Sequence, residues 1–208
     1  MKKLFLLAIS LLSMAPLKAQ VAIGPRAGIH FARADFDIYE GLEVSDQVGL
    51  LAGLAVEITL GENFALQPEL SYLRRGYLLE ELPQGIKKET ELDMEYLDAG
   101  ALLKGKFGGH ELGAFLSIGA FYSLALEGVL TQREEGNRNI FPVQLDDNFN
   151  RRDVTLAGGG GFHIGMGRHA LFFDGRYLLG LKKIEKIEGS YPFTNRGMSI
   201  SSGLLFRL

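Results

Sequence analysis

From about residue 20 onward, apolar and polar residues alternate with a period of two, which is the spacing of a β-strand. Between Val48 and Leu60 every even position is apolar, whereas the odd positions include Gly53 and Glu57. Residues 170–181 alternate in the same way, with a mostly apolar face opposite a small and charged one. No helical period accompanies these segments, so the pattern predicts an all-β chain.

Turn residues divide the chain into eight such segments, which are 20–34, 46–60, 63–79, 91–107, 111–128, 152–166, 169–183 and 194–208. The connections alternate between short turns, at Gly61, Gly108 and Gly167, and long polar stretches. This alternation is typical of bacterial outer-membrane barrels. The predicted fold is therefore an eight-stranded antiparallel up-and-down transmembrane β-barrel with short periplasmic turns and longer extracellular loops.

The first residues have the three-part layout of a secretory signal. Lys2 and Lys3 precede an apolar run over residues 4–17, and Ala19 marks the expected cleavage site. The run is shorter than the roughly 20 residues that a spanning helix needs. We therefore expect a signal peptide over 1–19 and a barrel domain over 20–208. A closed barrel can satisfy the hydrogen bonds of every backbone group in lipid. Because the chain is expected to be exported, its expected location is the outer membrane.

The composition restricts the chemistry of the chain. There is no Cys for a disulfide or a lipid anchor, and a net charge of -3 without a basic face argues against a nucleic-acid partner. The four histidines lack a metal-ligand spacing. The glycines at 158–161 precede a strand rather than the helix that a phosphate loop requires. We expect no cofactor and no metal, and the lipid of the outer membrane as a partner.

Strand parity places a set of polar residues inside the barrel: Arg26, His30, Glu57, Gln67, Glu69, Arg75, Asp98, Lys104, His163, Asp174, Arg176 and Arg207. Acidic and basic members are nearly balanced, and buried charges are costly unless they are paired. Eight strands enclose an interior that side chains can fill. We therefore predict a lumenal charge network, formed by Arg26, Glu57, Glu69, Asp98, Lys104, Asp174 and Arg176. A proton or ion path is the alternative interpretation.

The long stretch over residues 131–151 is the predicted contact surface for a protein partner in the envelope. Loops on a rigid scaffold commonly carry function. Charged and apolar side chains are mixed here, and the candidate contact residues are Arg133, Phe141, Phe149 and Arg151.

Five segments carry a family resemblance: residues 28–31, 64–72, 96–98, 102–104 and, most clearly, 174–181, which reads Asp-Gly-Arg-Tyr-Leu-Leu-Gly-Leu. They resemble the PorT-like outer-membrane β-barrel family common in the Bacteroidetes lineage, over the whole mature chain. Asp98 and Gly100 depart from the family, which usually carries Glu and Pro there. The resemblance implies an eight-stranded outer-membrane barrel. The family's namesake is linked to maturation of secreted proteases through the type IX secretion system.

The leading hypothesis is a non-catalytic integral outer-membrane protein that assists protein secretion, by a type IX-like system, or envelope assembly through its loops or barrel wall. One alternative is an outer-membrane lipid-modifying enzyme, in which His30 or His163 would act with Ser71, Ser117 or Ser123. The other is a soluble periplasmic lipocalin-like barrel that binds a ligand, which requires the apolar faces to point inward.

The predicted faces can be tested at two neighbouring positions. Leu54→Arg should lower the free energy of unfolding by about 2 to 4 kcal/mol, because it places a charge on the lipid side near the bilayer midplane. Gly53→Ser points into the lumen and should be milder. Urea-dependent unfolding in lipid vesicles measures both, and equal losses would contradict the assigned faces.

Overall fold

The computed structural model describes residues 20–36, 43–81, 88–134, 137–147, 149–184 and 193–208. It contains the strands β1 (Val21–Phe36), β2 (Glu43–Ser45), β3 (Gln47–Thr59), β4 (Phe64–Glu81), β5 (Lys88–Gly108), β6 (Leu112–Glu134), β7 (Asn137–Pro142), β8 (Arg152–Met166), β9 (His169–Lys183) and β10 (Phe193–Arg207). Across these ranges, no helix is long and apolar enough to cross a membrane. The predicted signal peptide lies outside the described residues.

Eight of the strands form a closed antiparallel ring in the order β1, β3, β4, β5, β6, β8, β9 and β10, and β10 pairs with β1. The three short turns contain Gly61, Gly108 and Gly167, whose φ angles are 108°, 93° and 64°. Glycine adopts this left-handed region without a steric penalty, so the turns reverse the chain tightly. The predicted eight-stranded barrel and its strand order are confirmed.

The two faces of the strands differ sharply in polarity. Leu50, Leu116 and Ile118 lie on the outside with 68%, 64% and 68% of their surface exposed, whereas Arg26 and Glu69 are buried inside. An apolar exterior around a polar interior suits a barrel surrounded by lipid. It is the reverse of what a soluble lipocalin-like barrel needs, so that alternative is wrong.

The strands β4, β5 and β6 continue past the ring on the side of the long connections. There β2 pairs with residues 78–80 of β4, and β7 pairs with residues 129–134 of β6. We call the five-stranded arrangement of β2, β4, β5, β6 and β7 at this level the outer sheet. Parts of it lie in stretches that the sequence assigned to loops, because their high charge disguises the strand pattern.

A β-bulge interrupts β6 at the base of the outer sheet. Glu95 pairs with Glu127 and Tyr96 with Ala125, so Leu126 is an extra residue on β6. Beyond it the inward positions change from odd to even, and Gly128 is buried. A bulge of this kind strengthens the local twist of the strand pair. Odd-numbered residues of β6 therefore point into the lumen only below residue 126.

The extracellular end of the lumen is filled by an apolar cluster, which we call the outer cluster. Its buried members are Ala34, Leu51, Leu73, Tyr77, Leu92, Met94, Tyr96, Ala125, Phe149, Ile184 and Phe193. Phe149 reaches it from the connection between β7 and β8. This cluster separates the polar part of the lumen from the outside.

Crowding contradicts the mild effect expected for Gly53→Ser, so this variant cannot serve as the comparison for Leu54→Arg. A Cβ atom at Gly53 would collide with the backbone carbonyl of Leu70 and with the side chain of Ser71. Inward glycines in this barrel leave room for neighbouring strands and side chains, so adding atoms there forces the wall outward.

The glycines at 158–161 supply a better matched pair. A Cβ at the inward Gly159 would collide with the backbone of Gly175 and Arg176, whereas a Cβ at the outward Gly158 meets nothing within 4 Å. We expect Gly159→Ala to lower the free energy of unfolding by about 1 to 3 kcal/mol. Gly158→Ala should be neutral or stabilising by up to about 1 kcal/mol. Vesicle unfolding curves that rank the two variants the other way would contradict this packing.

Candidate functional site

The centre of the lumen holds a compact charge layer contributed by four strands. The carboxylate of Glu69 on β4 accepts hydrogen bonds from Arg26 on β1 and from Arg176 on β9, the latter at 2.7 and 2.9 Å. Arg176 also pairs with Asp174 on its own strand, and Ser201 donates to Asp174 Oδ1 at 2.6 Å. Two guanidinium groups therefore meet two carboxylates, and the layer is neutral.

This central layer bridges the barrel from one wall to the other. In the ring of eight, β4 and β9 stand four strands apart, so the bond between Glu69 and Arg176 crosses the lumen. Both side chains are nearly free of solvent contact, with 0% and 3% exposure. Charge-assisted, two-pronged hydrogen bonds of this type are the strong class, and the low polarity around them strengthens them further.

A second layer lies between the central layer and the outer cluster. Arg75 pairs with Asp98 and donates to Ser123 Oγ at 3.2 Å and to Thr155 Oγ1 at 3.3 Å. Its guanidinium also lies 4.8 Å from the centre of the Tyr96 ring. Arg75 thus connects four strands, because its partners come from β5, β6 and β8.

A third layer faces the periplasm. Glu57 accepts hydrogen bonds from Lys104 at 3.2 Å and Lys106 at 2.6 Å. The ammonium of Lys104 also lies 4.1 Å from the centre of the Phe115 ring and 5.3 Å from that of Phe172. A cavity of about 210 Å³ opens beside these groups. One carboxylate thus serves two cations at the periplasmic mouth.

The structure distributes the seven residues of the predicted network among three layers. It brings Arg26, Glu69, Asp174 and Arg176 into direct contact, and it places Glu57 beside Lys104. Asp98 belongs to the second layer, where its partner is Arg75. The prediction left Arg75 and Lys106 out of the network, although both share the inward parity of network members on their strands.

The layers leave little open space in the middle of the barrel. Next to Glu69 lies a cavity of about 20 Å³, which has room for about one water molecule. The charges there are engaged with one another rather than with solvent. This arrangement favours the structural interpretation of the network over a proton or ion path.

The residues considered for lipid chemistry do not assemble into a catalytic group. Ser123 is engaged by Arg75 and Thr155, while the buried hydroxyl oxygens of Ser71 and Ser117 have no hydrogen-bond partner. The Nδ1 atoms of His30 and His163 are likewise without one. Among the described residues, no group of three or more His, Asp or Glu side chains could hold a metal ion.

The four candidate partner residues occupy different environments. Phe141 on β7 is 47% exposed, and Arg133 on β6 pairs with Glu91 at 3.1 Å and with Glu89 at 3.4 Å. Arg151 Nε donates to the carbonyl oxygen of Ala125 at 3.1 Å. Phe149 is only 7% exposed because it packs into the outer cluster, so it cannot present its ring to a partner.

Most of the barrel matches a known protein family. A family model described as outer membrane protein beta-barrel domain matches residues 15–186. No curated protein matches the chain in sequence.

Several solved outer-membrane barrels are similar to the structure. The outer membrane protein OprG from Pseudomonas aeruginosa has 12% identity and a TM-score of 0.55, over 91% of this chain and 96% of that one. Neisserial surface protein A has 14% identity and a TM-score of 0.49, over 89% and 97%. Ail of Yersinia pestis, solved with the heparin analogue sucrose octasulfate, has 14% identity and a TM-score of 0.43, over 92% and 100%. At these identities the similarity concerns the fold alone. It rests on OprG, whose TM-score is above 0.5.

Glu69 is the position at which the central layer can be tested. Glu69→Gln should leave Arg26 and Arg176 with one carboxylate between them, and loss of one partner of a buried pair costs about 3 to 5 kcal/mol. We expect a clear fall in the unfolding temperature in vesicles. Glu95→Gln is the matched control: it weakens a partly exposed pair with Arg74, and such pairs contribute about 1 kcal/mol or less. Equal shifts for both variants would contradict a structural role for the layer.

Proposed function

Because the chain belongs to the outer membrane protein beta-barrel domain family, we propose that it is a non-catalytic scaffold of the outer membrane that presents its outer sheet to a protein partner. The observation that carries this proposal is the closed lumen. Three charge layers and the outer cluster close the lumen above the periplasmic cavity, so the surfaces available to a partner beside or outside the barrel are the exterior wall and the extracellular end.

The outer sheet offers a specific place for that contact. All six residues of β7 are exposed, and β6 is its one strand partner in the described part of the chain. Its free edge carries backbone groups that a further extended segment can pair with. Ile140 and Phe141 are 57% and 47% exposed on opposite faces of the strand, so they can supply apolar contacts beside the backbone bonds.

Contacts near the outer end of the sheet and beneath it hold this edge in place. Arg133 ties β6 to β5 through Glu89 and Glu91, and the outer cluster packs beneath the sheet. A preformed edge loses little conformational entropy when a partner binds. A rigid barrel that projects a strand edge is thus suited to docking rather than to chemistry or transport.

For the finer role, we infer an accessory of protein secretion or envelope assembly. The support for it is the resemblance of residues 174–181 and the other matching segments to PorT-like barrels. Under this proposal the partner is another envelope protein that supplies an extended segment to β7.

Site-specific photo-crosslinking in intact cells tests the proposed surface. A photoreactive phenylalanine analogue at Phe141 should give a discrete protein adduct, because that ring lies on the exposed strand edge. The same analogue at Leu116, which is 64% exposed on the membrane-facing wall, is the matched control and should give no such adduct. Identical adduct patterns, or none from Phe141, would count against docking at β7.

The secretion role and the closed lumen need their own measurements. The variant with Ile140→Asp and Phe141→Asp should reproduce the secretion or assembly defect of a deletion strain while the barrel still folds. The purified wild-type protein should show negligible conductance in planar bilayers, and steady ion currents would overturn the scaffold model.

A further inference from the structure

The exterior wall formed by β9, β10 and β1 carries an ordered series of rows. Phe31, Met198 and Tyr177 are directly opposed across the three strands and point outward. Two residues further along toward the extracellular side, Arg33 and Arg196 oppose each other. Strand residues rise about 3.3 Å each, so the arginine row lies roughly 7 Å above the aromatic row.

The arginine row is unusual because it places like charges on adjacent strands. Directly opposed like charges destabilise a strand pair. Arg196 leans onto Asp35 at 2.5 Å, and Arg33 lies 3.8 Å from Asp46. Both guanidinium groups remain open to the surroundings, with 61% of the Arg33 side chain and 44% of the Arg196 side chain exposed.

These residues border a groove of about 590 Å³ on the outside of the barrel. Its lower rim is formed by Phe31, Tyr177 and Met198, which continue the apolar exterior. Its upper rim is formed by the two arginines together with their partners Asp35 and Asp46. Aromatic residues mark the interface between the hydrocarbon core and the headgroups in such barrels. The arginines therefore lie at headgroup height in the outer leaflet.

We propose that this groove binds the phosphorylated headgroup of an outer-leaflet lipid. The phosphate lies between Arg33 and Arg196 and accepts hydrogen bonds from the guanidinium donors that Asp35 and Asp46 leave exposed, while the acyl chains follow the apolar row below. Arginine is the side chain best suited to this task, because its planar donors match phosphate oxygens in pairs. A lipid is the occupant because the apolar rim and the exposed guanidinium groups meet at the membrane boundary.

Native mass spectrometry of the full-length mature barrel in detergent tests the proposal. The probe is a lipid A that carries its phosphates, compared with the same lipid after dephosphorylation. The double variant Arg33→Gln with Arg196→Gln should bind the phosphorylated lipid roughly ten-fold more weakly than the wild type. The dephosphorylated lipid should bind the wild type and this variant equally weakly.

The neighbouring carboxylates provide a test that a folding defect cannot imitate. Asp35→Asn with Asp46→Asn frees both arginines and should strengthen binding of the phosphorylated lipid severalfold. Arg74→Gln is the matched control, because Arg74 is 48% exposed on β4 beside Asp93 and Glu95, and it should bind the lipid as the wild type does.

Three outcomes with the variants would overturn the proposal. They are equal lipid retention by the wild type and the arginine double variant, an equal loss in Arg74→Gln, and weaker binding after removal of the two carboxylates. Inorganic phosphate at the same concentration should leave the bound lipid in place, and its complete displacement of the lipid would assign the groove to a free anion instead.

Discussion

The shared carboxylate of Glu69 is the interaction on which the interior of the barrel depends. Two guanidinium groups from different strands converge on it, and one of them comes from the opposite wall. A buried carboxylate without such partners would carry a large desolvation penalty, so the walls must stay close enough for the bonds to form. The distance across the lumen is thereby restricted. The same restriction applies to the layer around Arg75 above it and the layer around Glu57 below it. A wide aqueous passage is incompatible with this arrangement.

The sequence was sufficient to predict the ring because each strand has one apolar and one polar face. The segments 152–166 and 169–183 coincide with β8 and β9, and the inward placement of Arg26 and Asp174 follows from parity alone. Lipid and the narrow lumen impose opposite requirements on neighbouring residues, so the alternation is strong in the membrane. The contacts inside a layer also follow from the depth of each residue in the barrel, because inward residues that lie equally far along their strands from the short turns are at the same level.

Beyond the membrane the same reasoning fails for physical reasons. Water accepts polar residues on both faces of a strand, so the extensions of β5 and β6 and the short strand β7 lose their distinguishing pattern. The bulge at Leu126 then shifts parity on β6, and no local residue type announces it. Phe149 illustrates the other limit, since its burial depends on a tertiary cluster assembled from distant strands. The error at Gly53 arose from a crowding that only the spatial neighbours reveal.

The unequal length of the strands has a geometric consequence for the molecule in its membrane. On the extracellular side β4, β5 and β6 rise beyond the ring, whereas β8 begins at Arg152 and β10 begins at Phe193. Within the described ranges, the extracellular side of the barrel is therefore not rotationally uniform: it has a tall flank and a low flank. A molecule that diffuses in the plane of the membrane meets the strand edge of β7 if it approaches from one side. It meets Arg33 and Arg196, at the level of the headgroups, if it approaches from another. The orientation of the barrel about the membrane normal therefore determines which of these two surfaces a neighbouring molecule contacts.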